Sequence, residues 1–128
     1  MISISHTEQI QTILIQRFGG TEGIRDKNAL HSALSRPRQS FDGKELYPGP
    51  IEKAAALIES ILSNRPFVDG NKRTGYVLMR LLLNHRGYDI NASQDDKYNF
   101  VVNIAAGKFN FNDIVIWLES FTNQIPSQ

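Results

Sequence analysis

The sequence predicts an all-α domain, a compact bundle of about six helices. Apolar residues recur at helical spacing in six separate segments, and glycine, proline or a capping side chain stands at the boundaries between them. We find no internal repeat and no convincing pattern for a sheet. With 128 residues, the chain is expected to form a single domain over residues 1–128.

The first half of the chain predicts three helices and one small hairpin. A first helix is predicted over residues 7–18, because Gly19-Gly20 can then end it. A short second helix is predicted over 26–34, and a strongly apolar third helix, which should be buried, over 50–64. The turn dipeptide Asp42-Gly43 predicts a flap-like hairpin just before that third helix.

The second half of the chain predicts three more helices. The pattern over residues 71–86 is apolar around most of the helix circumference, so we expect this to be the central helix. An extended segment at 88–90 precedes a helix over 93–106. A last helix, capped by Asn110 or Asn112, ends before a polar tail.

Composition excludes several classes of function. With 14 basic and 13 acidic residues the net charge is +1, which gives no general attraction to nucleic acid or an anionic membrane, so a helical nucleic-acid binder is a weak alternative. The absence of cysteine excludes disulfides and thiolate metal sites. The start of the chain lacks signal-peptide features, and its apolar runs are far shorter than the ~20 residues that cross a bilayer. We therefore expect a cytoplasmic protein that contacts neither membrane nor nucleic acid directly.

The residues that suggest chemistry lie in residues 64–74, where a loop joins the third and fourth predicted helices. Free N–H groups at a helix start attract anions, and Gly70 lets a phosphate approach the backbone closely. Lys72 and Arg73 add positive charge there, and the Asp69 carboxylate can hold Mg²⁺ against nucleotide phosphates. The spacing is equally compatible with a plain turn in which Asp69 caps the helix and the two cations are solvated.

This loop resembles the signature of the Fic/Doc family, His-x-Phe-x-Asp/Glu-Gly/Ala-Asn-Gly/Lys-Arg. The matching residues are Phe67, Asp69, Gly70, Asn71, Lys72 and Arg73. Other stretches look like Doc-type sequences in the same order, namely residues 18–20, 23–26, 33–37, 45–48 and 52–55. The resemblance covers most of the chain and implies the Fic fold.

The resemblance also implies an activity and partners. In the wider family a glycine follows the motif asparagine, and the enzymes transfer AMP from ATP to a target hydroxyl. In the Doc branch a lysine stands there, as Lys72 does here, and the nucleotide binds in the reverse sense, which places its γ-phosphate for transfer. The implied protein is therefore an ATP- and Mg²⁺-dependent phosphotransferase toxin, with elongation factor Tu as its protein substrate and a Phd-like antitoxin as its partner.

Roles for individual residues follow from the same resemblance. The implied catalytic positions are Arg65, Asp69, Asn71 and Arg73, with Asp69 beside Mg²⁺. The implied phosphate-binding positions are Gly70, Asn71, Lys72, Arg73 and Thr74. Phe67 would anchor the loop in the core. The flap residues Phe41, Lys44, Leu46 and Tyr47 would guide the target segment.

One position departs from the signature, because Arg65 stands where the family has its catalytic histidine. A general base needs a free lone pair and a pKa near the working pH, which a guanidinium lacks, and losing such a base typically slows a reaction by about a hundred- to ten-thousandfold. His6, His31 and His85 lie outside the loop and are no obvious substitutes. We therefore expect an impaired toxin; the alternatives are a catalytically silent Fic-fold module that binds nucleotide or protein, and an AMP-transferring Fic enzyme.

Overall fold

The computed structural model describes residues 2–126, and this part of the chain is mostly helical. Its six α-helices are α1 (Ile4–Phe18), α2 (Lys27–Ser35), α3 (Pro50–Asn64), α4 (Asn71–His85), α5 (Gln94–Ala105) and α6 (Phe111–Phe121). A 3₁₀ turn at Arg36–Arg38 follows α2. Two antiparallel pairs of short strands complete the fold, β1 (Ser40–Phe41) with β2 (Lys44–Glu45) and β3 (Tyr88–Ile90) with β4 (Thr122–Gln124). The predicted bundle of six helices with a small hairpin before α3 is confirmed.

The buried centre of the bundle is α3, whereas we expected the helix over 71–86. Nine residues of α3 are buried, against five in α4, and α3 packs against α2, α4, α5 and α6. Leu81, in the apolar run of α4, is exposed. The expectation was wrong because hydrophobicity around a helix does not show which faces find partners; the small side chains of Ala54, Ala55 and Ala56 let neighbours approach α3 closely.

Helices α3 and α4 approach each other closely at Gly75. Gly75, in the second turn of α4, is buried against Ile61 and Leu62 of α3. A Cβ at position 75 would lie 3.1 Å from Ile61 Cγ2 and 3.2 Å from Leu62 Cδ2. A side chain here would therefore require Ile61 and Leu62 to shift by a few tenths of an ångström.

A capping side chain begins four of the six described helices, α1, α2, α5 and α6. Asp26 Oδ1 accepts a hydrogen bond from Ala29 N at 3.0 Å, and Asn110, not Asn112, caps α6. The start of α1 differs from our prediction. Ser3 accepts from the N–H of His6 and begins the helix at Ile4, three residues before the predicted start.

The predicted polar tail contains a strand. Residues of β4 pair with β3, and the ladder continues through Ile125 N, which donates to Gly87 O at 2.7 Å. The strand is only three residues long and its side chains are polar, so no alternating pattern reveals it. Within residues 2–126, none of the helices has the length and hydropathy needed to cross a membrane.

An ion pair fastens β3 to α4. Arg80 donates to both carboxylate oxygens of Asp89, at 2.8 and 3.0 Å, and Ile90 N donates to Oδ1. The hydrogen bonds from the guanidinium hold the pKa of Asp89 well below its usual range.

We expect the pair to stabilise the protein at neutral pH and to contribute less in acid. Because the folded-state pKa of Asp89 is depressed, its contribution is complete above the unfolded value of about 3.9 and is lost as the pH falls from there through the folded-state value. Asp89→Asn should lower the free energy of unfolding by about 0.5–1 kcal/mol at about pH 7 and by less at about pH 3, because both side chains are partly exposed, 49% for Arg80 and 34% for Asp89. Urea unfolding at both pH values measures this, with Glu119→Gln on the exposed face of α6 as the control. An equal loss at both pH values would contradict the assignment.

Candidate functional site

The catalytic and phosphate-binding residues predicted from the sequence, except the buried Thr74, line one cavity of about 730 Å³ at the loop between α3 and α4. The lining residues that belong to the loop and the first turn of α4 are Arg65, Val68, Asp69, Gly70, Asn71, Lys72 and Arg73. Apolar residues of α1 and α5, including Leu14, Phe18, Val101 and Val102, form other parts of the wall. The volume lies within the range of about 300–1,000 Å³ that is usual for small-molecule sites.

The loop is held from outside by the segment that joins α1 to α2. Val68 N donates to Gly23 O at 3.0 Å, and the N–H groups of Arg25 and Asp26 both donate to Pro66 O. Phe67 forms an isolated antiparallel bridge with Ile24, and its side chain is only 1% exposed in the core. Backbone pairing therefore fixes residues 66–68 in the fold.

Arg65 ends α3 in a left-handed conformation, with φ 48° and ψ 60°. Its side chain is exposed and lines the cavity. Its carbonyl accepts from Arg25 Nε at 2.8 Å, while Arg25 Nη2 donates to Asn64 O at 2.6 Å. These two hydrogen bonds, the Arg25 clamp, were not predicted from the sequence, because nothing in the local pattern connects Arg25 with the end of α3.

Asn71 turns its amide back onto the loop. Its Oδ1 accepts from Phe67 N and its Nδ2 donates to Phe67 O, both at 3.0 Å. We predicted this side chain as a catalytic and phosphate-binding group. In this arrangement both ends of the amide are engaged with the backbone of Phe67, so Asn71 shapes the loop.

The start of α4 offers positive charge without a side-chain cap. Gly70 occupies the cap position with φ 72°, in the left-handed region that favours glycine. Lys72 is exposed, and the Arg73 guanidinium lies 4.1 Å from the centre of the Phe18 ring. The buried hydroxyl of Thr74 has no hydrogen-bond partner within the described part of the chain.

Asp69 places one carboxylate at the edge of the cavity. Its Oδ2 accepts from Thr21 N at 3.1 Å, and its backbone carbonyl accepts from Gln11 Nε2 at 3.2 Å. Among residues 2–126, no group of three or more histidine, aspartate or glutamate side chains is arranged to hold a metal. Mg²⁺ is commonly bound by one or two carboxylates together with substrate phosphates, so Asp69 fits that ion only in the presence of a nucleotide.

Two contributors to the site were not predicted from the sequence. Lys97 of α5 lines the cavity and adds a fourth cation to Arg65, Lys72 and Arg73. Gln11 of α1 contacts both the loop and the segment before α2. The one available signal was the polar Gln11 on the buried stripe of α1, four residues from both Thr7 and Ile15.

The three histidines lie away from this cavity. His6 and His85 line a second cavity of about 480 Å³ between α1, α2 and the end of α4, and His31 is exposed on α2. Within residues 2–126, no histidine lines the cavity at the loop. The fold therefore brings no other imidazole to the place where the family signature has its histidine.

The hairpin predicted as a flap has an exposed tip and an anchored base. Phe41, Lys44 and Leu46 are exposed, whereas the Tyr47 ring lies 5.4 Å from that of Phe111 and its hydroxyl accepts from Arg36 Nε at 3.1 Å. The buried ammonium of Lys53 donates to Pro37 O, Glu45 Oε1 and Tyr47 O. None of the four predicted flap residues lines the described part of the cavity, and Tyr47 belongs to the anchor.

The left-handed backbone at Arg65 predicts a gain in stability on substitution. Asparagine tolerates this conformation better than arginine, and the Arg25 clamp binds only backbone oxygens. Arg65→Asn should raise the free energy of unfolding by up to about 1 kcal/mol. Arg17→Asn, the same exchange at an exposed position in the last turn of α1, should lower it by a few tenths, roughly the difference in helix propensity. If both variants lose stability in urea unfolding, the backbone at position 65 is not strained.

Comparison with known proteins agrees with the motif. The sequence model of the Fic/DOC family matches residues 1–83, which include the whole loop and most of α4. Over 78 residues the chain is 38% identical to "Toxin Doc" of Mycolicibacterium smegmatis, a match that covers 61% of this chain. The chain thus spans about 60% of the length of that curated relative. More than half of the chain matches the family model, and the resemblance inferred from the loop is confirmed: the chain belongs to the Fic/DOC family.

Proposed function

We propose that this chain is a Doc-like toxin of a toxin–antitoxin pair, built to transfer phosphate from ATP with Mg²⁺ but impaired by arginine at position 65. The observation that carries the proposal is the uncapped start of α4, where Lys72 and Arg73 line one cavity with Asp69. The similarity to a curated Doc toxin supports the same reading.

The phosphates of ATP fit the start of α4. A helix of 15 residues without a side-chain cap leaves N–H groups free in its first turn, and its dipole favours negative charge there. Gly70 lines the cavity without a side chain that would keep a phosphate from the backbone, and Lys72 and Arg73 supply charge-assisted donors. Thr74, in the same turn, is buried and does not line the cavity, so it is not part of this anion site.

Asp69 is the residue that would hold Mg²⁺ against those phosphates. A bound Mg²⁺ neutralises phosphate charge and polarises the transferred group. The protein keeps the Asp69 carboxylate in place through Thr21 N, which donates to Oδ2 and leaves Oδ1 without a hydrogen-bond partner in the described chain.

Arg65 has opposite effects on nucleotide binding and on phosphate transfer in this proposal. The guanidinium has no acceptor for the proton of an attacking hydroxyl, so the transfer step lacks a general base. The same cation stands in the cavity that receives the phosphates and strengthens their binding. This residue also favours the second candidate function, a silent Fic-fold module that binds nucleotide or a partner protein.

Target and partner follow from the family. Lys72, in the place of the glycine of AMP-transferring relatives, favours γ-phosphate transfer over AMP transfer. The acceptor is a hydroxyl of a translation factor such as elongation factor Tu, presented beside the exposed hairpin residues Phe41 and Leu46. A Phd-like antitoxin, encoded beside this protein, is its neutralising partner.

Nucleotide binding should depend on the two cations of the first turn. Lys72→Ala and Arg73→Ala should each weaken ATP binding by about tenfold or more, because each removes a charge-assisted contact to phosphate. Calorimetric titration with Mg-ATP measures this, with Lys108→Ala, in the exposed turn after α5, as the control. Arg73 also packs on Phe18, so circular dichroism must show that the variant is folded. If both variants are folded and bind ATP with unchanged affinity, the start of α4 is not the anion site.

Histidine at position 65 should restore transfer. The loop geometry is held through backbone atoms, so Arg65→His supplies the missing proton acceptor without rebuilding the site. We expect growth arrest on induction in cells. Label transfer from γ-labelled ATP to purified elongation factor Tu should rise by about a hundredfold or more.

Two controls make this result specific. Arg65→Asn removes the cation without adding a base, and it should stay inactive. ATP labelled at the α-phosphate should leave elongation factor Tu unlabelled, whereas labelling would indicate AMP transfer. If Arg65→His folds and binds ATP yet neither arrests growth nor transfers label, the silent binding module replaces the impaired toxin.

A further inference from the structure

Gln11 is a polar side chain in the buried face of α1. The buried residues of this helix are Thr7, Gln11 and Ile15, spaced four apart so that they share one face. Gln11 is only 2% exposed. A buried amide is costly unless its donors and acceptor find partners, so its contacts show what this residue is for.

The contacts of Gln11 all lie outside its own helix. Its Nε2 donates to Asp69 O at 3.2 Å and to Thr21 O at 3.4 Å, and its Oε1 accepts from Gly23 N at 3.3 Å. The bonds are long, and each is individually weak. Together they join the loop between α3 and α4 to the segment between α1 and α2 through one side chain.

The same two segments meet again at the Asp69 carboxylate. Thr21, whose carbonyl Gln11 holds, donates its N–H to Asp69 Oδ2 at 3.1 Å. The backbone of Gly20 lies so close that a Cβ there would be 3.1 Å from Oδ2 and 3.0 Å from Ile15 Cδ1. Gln11, Thr21 and Asp69 therefore form a closed ring of hydrogen bonds around an otherwise exposed carboxylate.

We propose that Gln11 is a positioning residue for Asp69: by holding the backbone of both Asp69 and Thr21, it keeps the carboxylate oriented toward the cavity for a cation carried by a nucleotide. This role rests on the proposed function and acts through Asp69, without contact between Gln11 and the nucleotide. A carboxylate held in one orientation loses less conformational entropy when it takes up a cation than a freely rotating one does. Outer partners of metal-binding groups typically change metal affinity by about 10- to 100-fold when removed.

The test separates the Mg²⁺-dependent part of ATP binding from the rest. Calorimetry on the full chain compares ATP affinity with Mg²⁺ and with EDTA, in wild type and in Gln11→Met, which keeps the shape of the side chain but removes its hydrogen bonds. The strengthening of ATP binding by Mg²⁺ should fall by about tenfold, as it should in Asp69→Asn. The affinity in EDTA, which depends on Lys72 and Arg73, should change by less than about twofold. Gln9→Met, the same exchange on the exposed face of α1, is the matched control and should change neither.

A pH series provides a readout that a merely structural role would not produce. Gln11→Glu keeps the acceptor for Gly23 N, but it can donate to Asp69 O only when its carboxyl is protonated. The Mg²⁺-dependent part of binding should therefore recover in this variant as the pH is lowered, relative to wild type at each pH. A folded Gln11→Met with the full Mg²⁺ effect overturns the proposal. An equal loss with and without Mg²⁺ also overturns it.

The proposal can be separated from the proposed function. If wild type binds no ATP under any condition, the proposed function fails. Amide hydrogen exchange in the free protein then tests these hydrogen bonds independently of ATP binding. Gln11→Met should speed exchange at Gly23, whose N–H donates to Gln11, and at Thr21, whose N–H donates to Asp69, while Gly19, which bonds to Ile15 O, stays unchanged. Unaltered exchange at both Gly23 and Thr21 overturns the positioning role.

Discussion

The close contact of α3 and α4 at Gly75 is the constraint on which the site depends. The two helices meet just over one turn after the loop that joins them, where a Cβ at position 75 would lie 3.1 Å from Ile61 and 3.2 Å from Leu62. The six residues between the helices must therefore reverse the chain over a short distance. The left-handed backbone at Arg65 and at Gly70 makes this reversal, and it brings the end of α3 and the start of α4 to one cavity.

Hydrogen bonds to backbone atoms form a frame that fixes the loop, and the side chains that line the cavity project from this frame. Arg25 binds the carbonyls of residues 64 and 65, Pro66 and Val68 pair with residues 23–26, and Asn71 binds the backbone of Phe67. None of these contacts uses the side chain of residue 65. A histidine and an arginine can therefore occupy that position in the same loop, and the exchange changes the proton chemistry while leaving the frame intact.

Local patterns predicted the helices well, because periodicity and capping are properties of neighbouring residues; Asp26 and Asn110 cap the helices expected of them. The motif residues were also found together, since they are contiguous in sequence and a short loop keeps them near one another. The missed start of α1 is local, because Ser3 caps it, whereas the other failures are tertiary. β4 depends on pairing with a strand more than 30 residues earlier, Tyr47 on a ring from α6, and Gln11 on a loop 58 residues away. The choice of α3 over α4 as the centre depends on which faces are covered, which hydrophobicity alone does not determine.

The proposed separation of nucleotide binding from phosphate transfer has an electrostatic basis. The chain as a whole carries a formal charge of only +1, yet Arg65, Lys72, Arg73 and Lys97 line one cavity in which, among the described residues, Asp69 is the sole carboxylate. Attraction of polyphosphate depends on this local excess of cations and on the helix start, and both are unaffected by the loss of a proton acceptor. The proposed transfer step depends instead on one lone pair at one atom. Because the two requirements rest on different groups, the proposal assigns two opposite effects to an arginine at position 65, slower transfer and stronger anion binding.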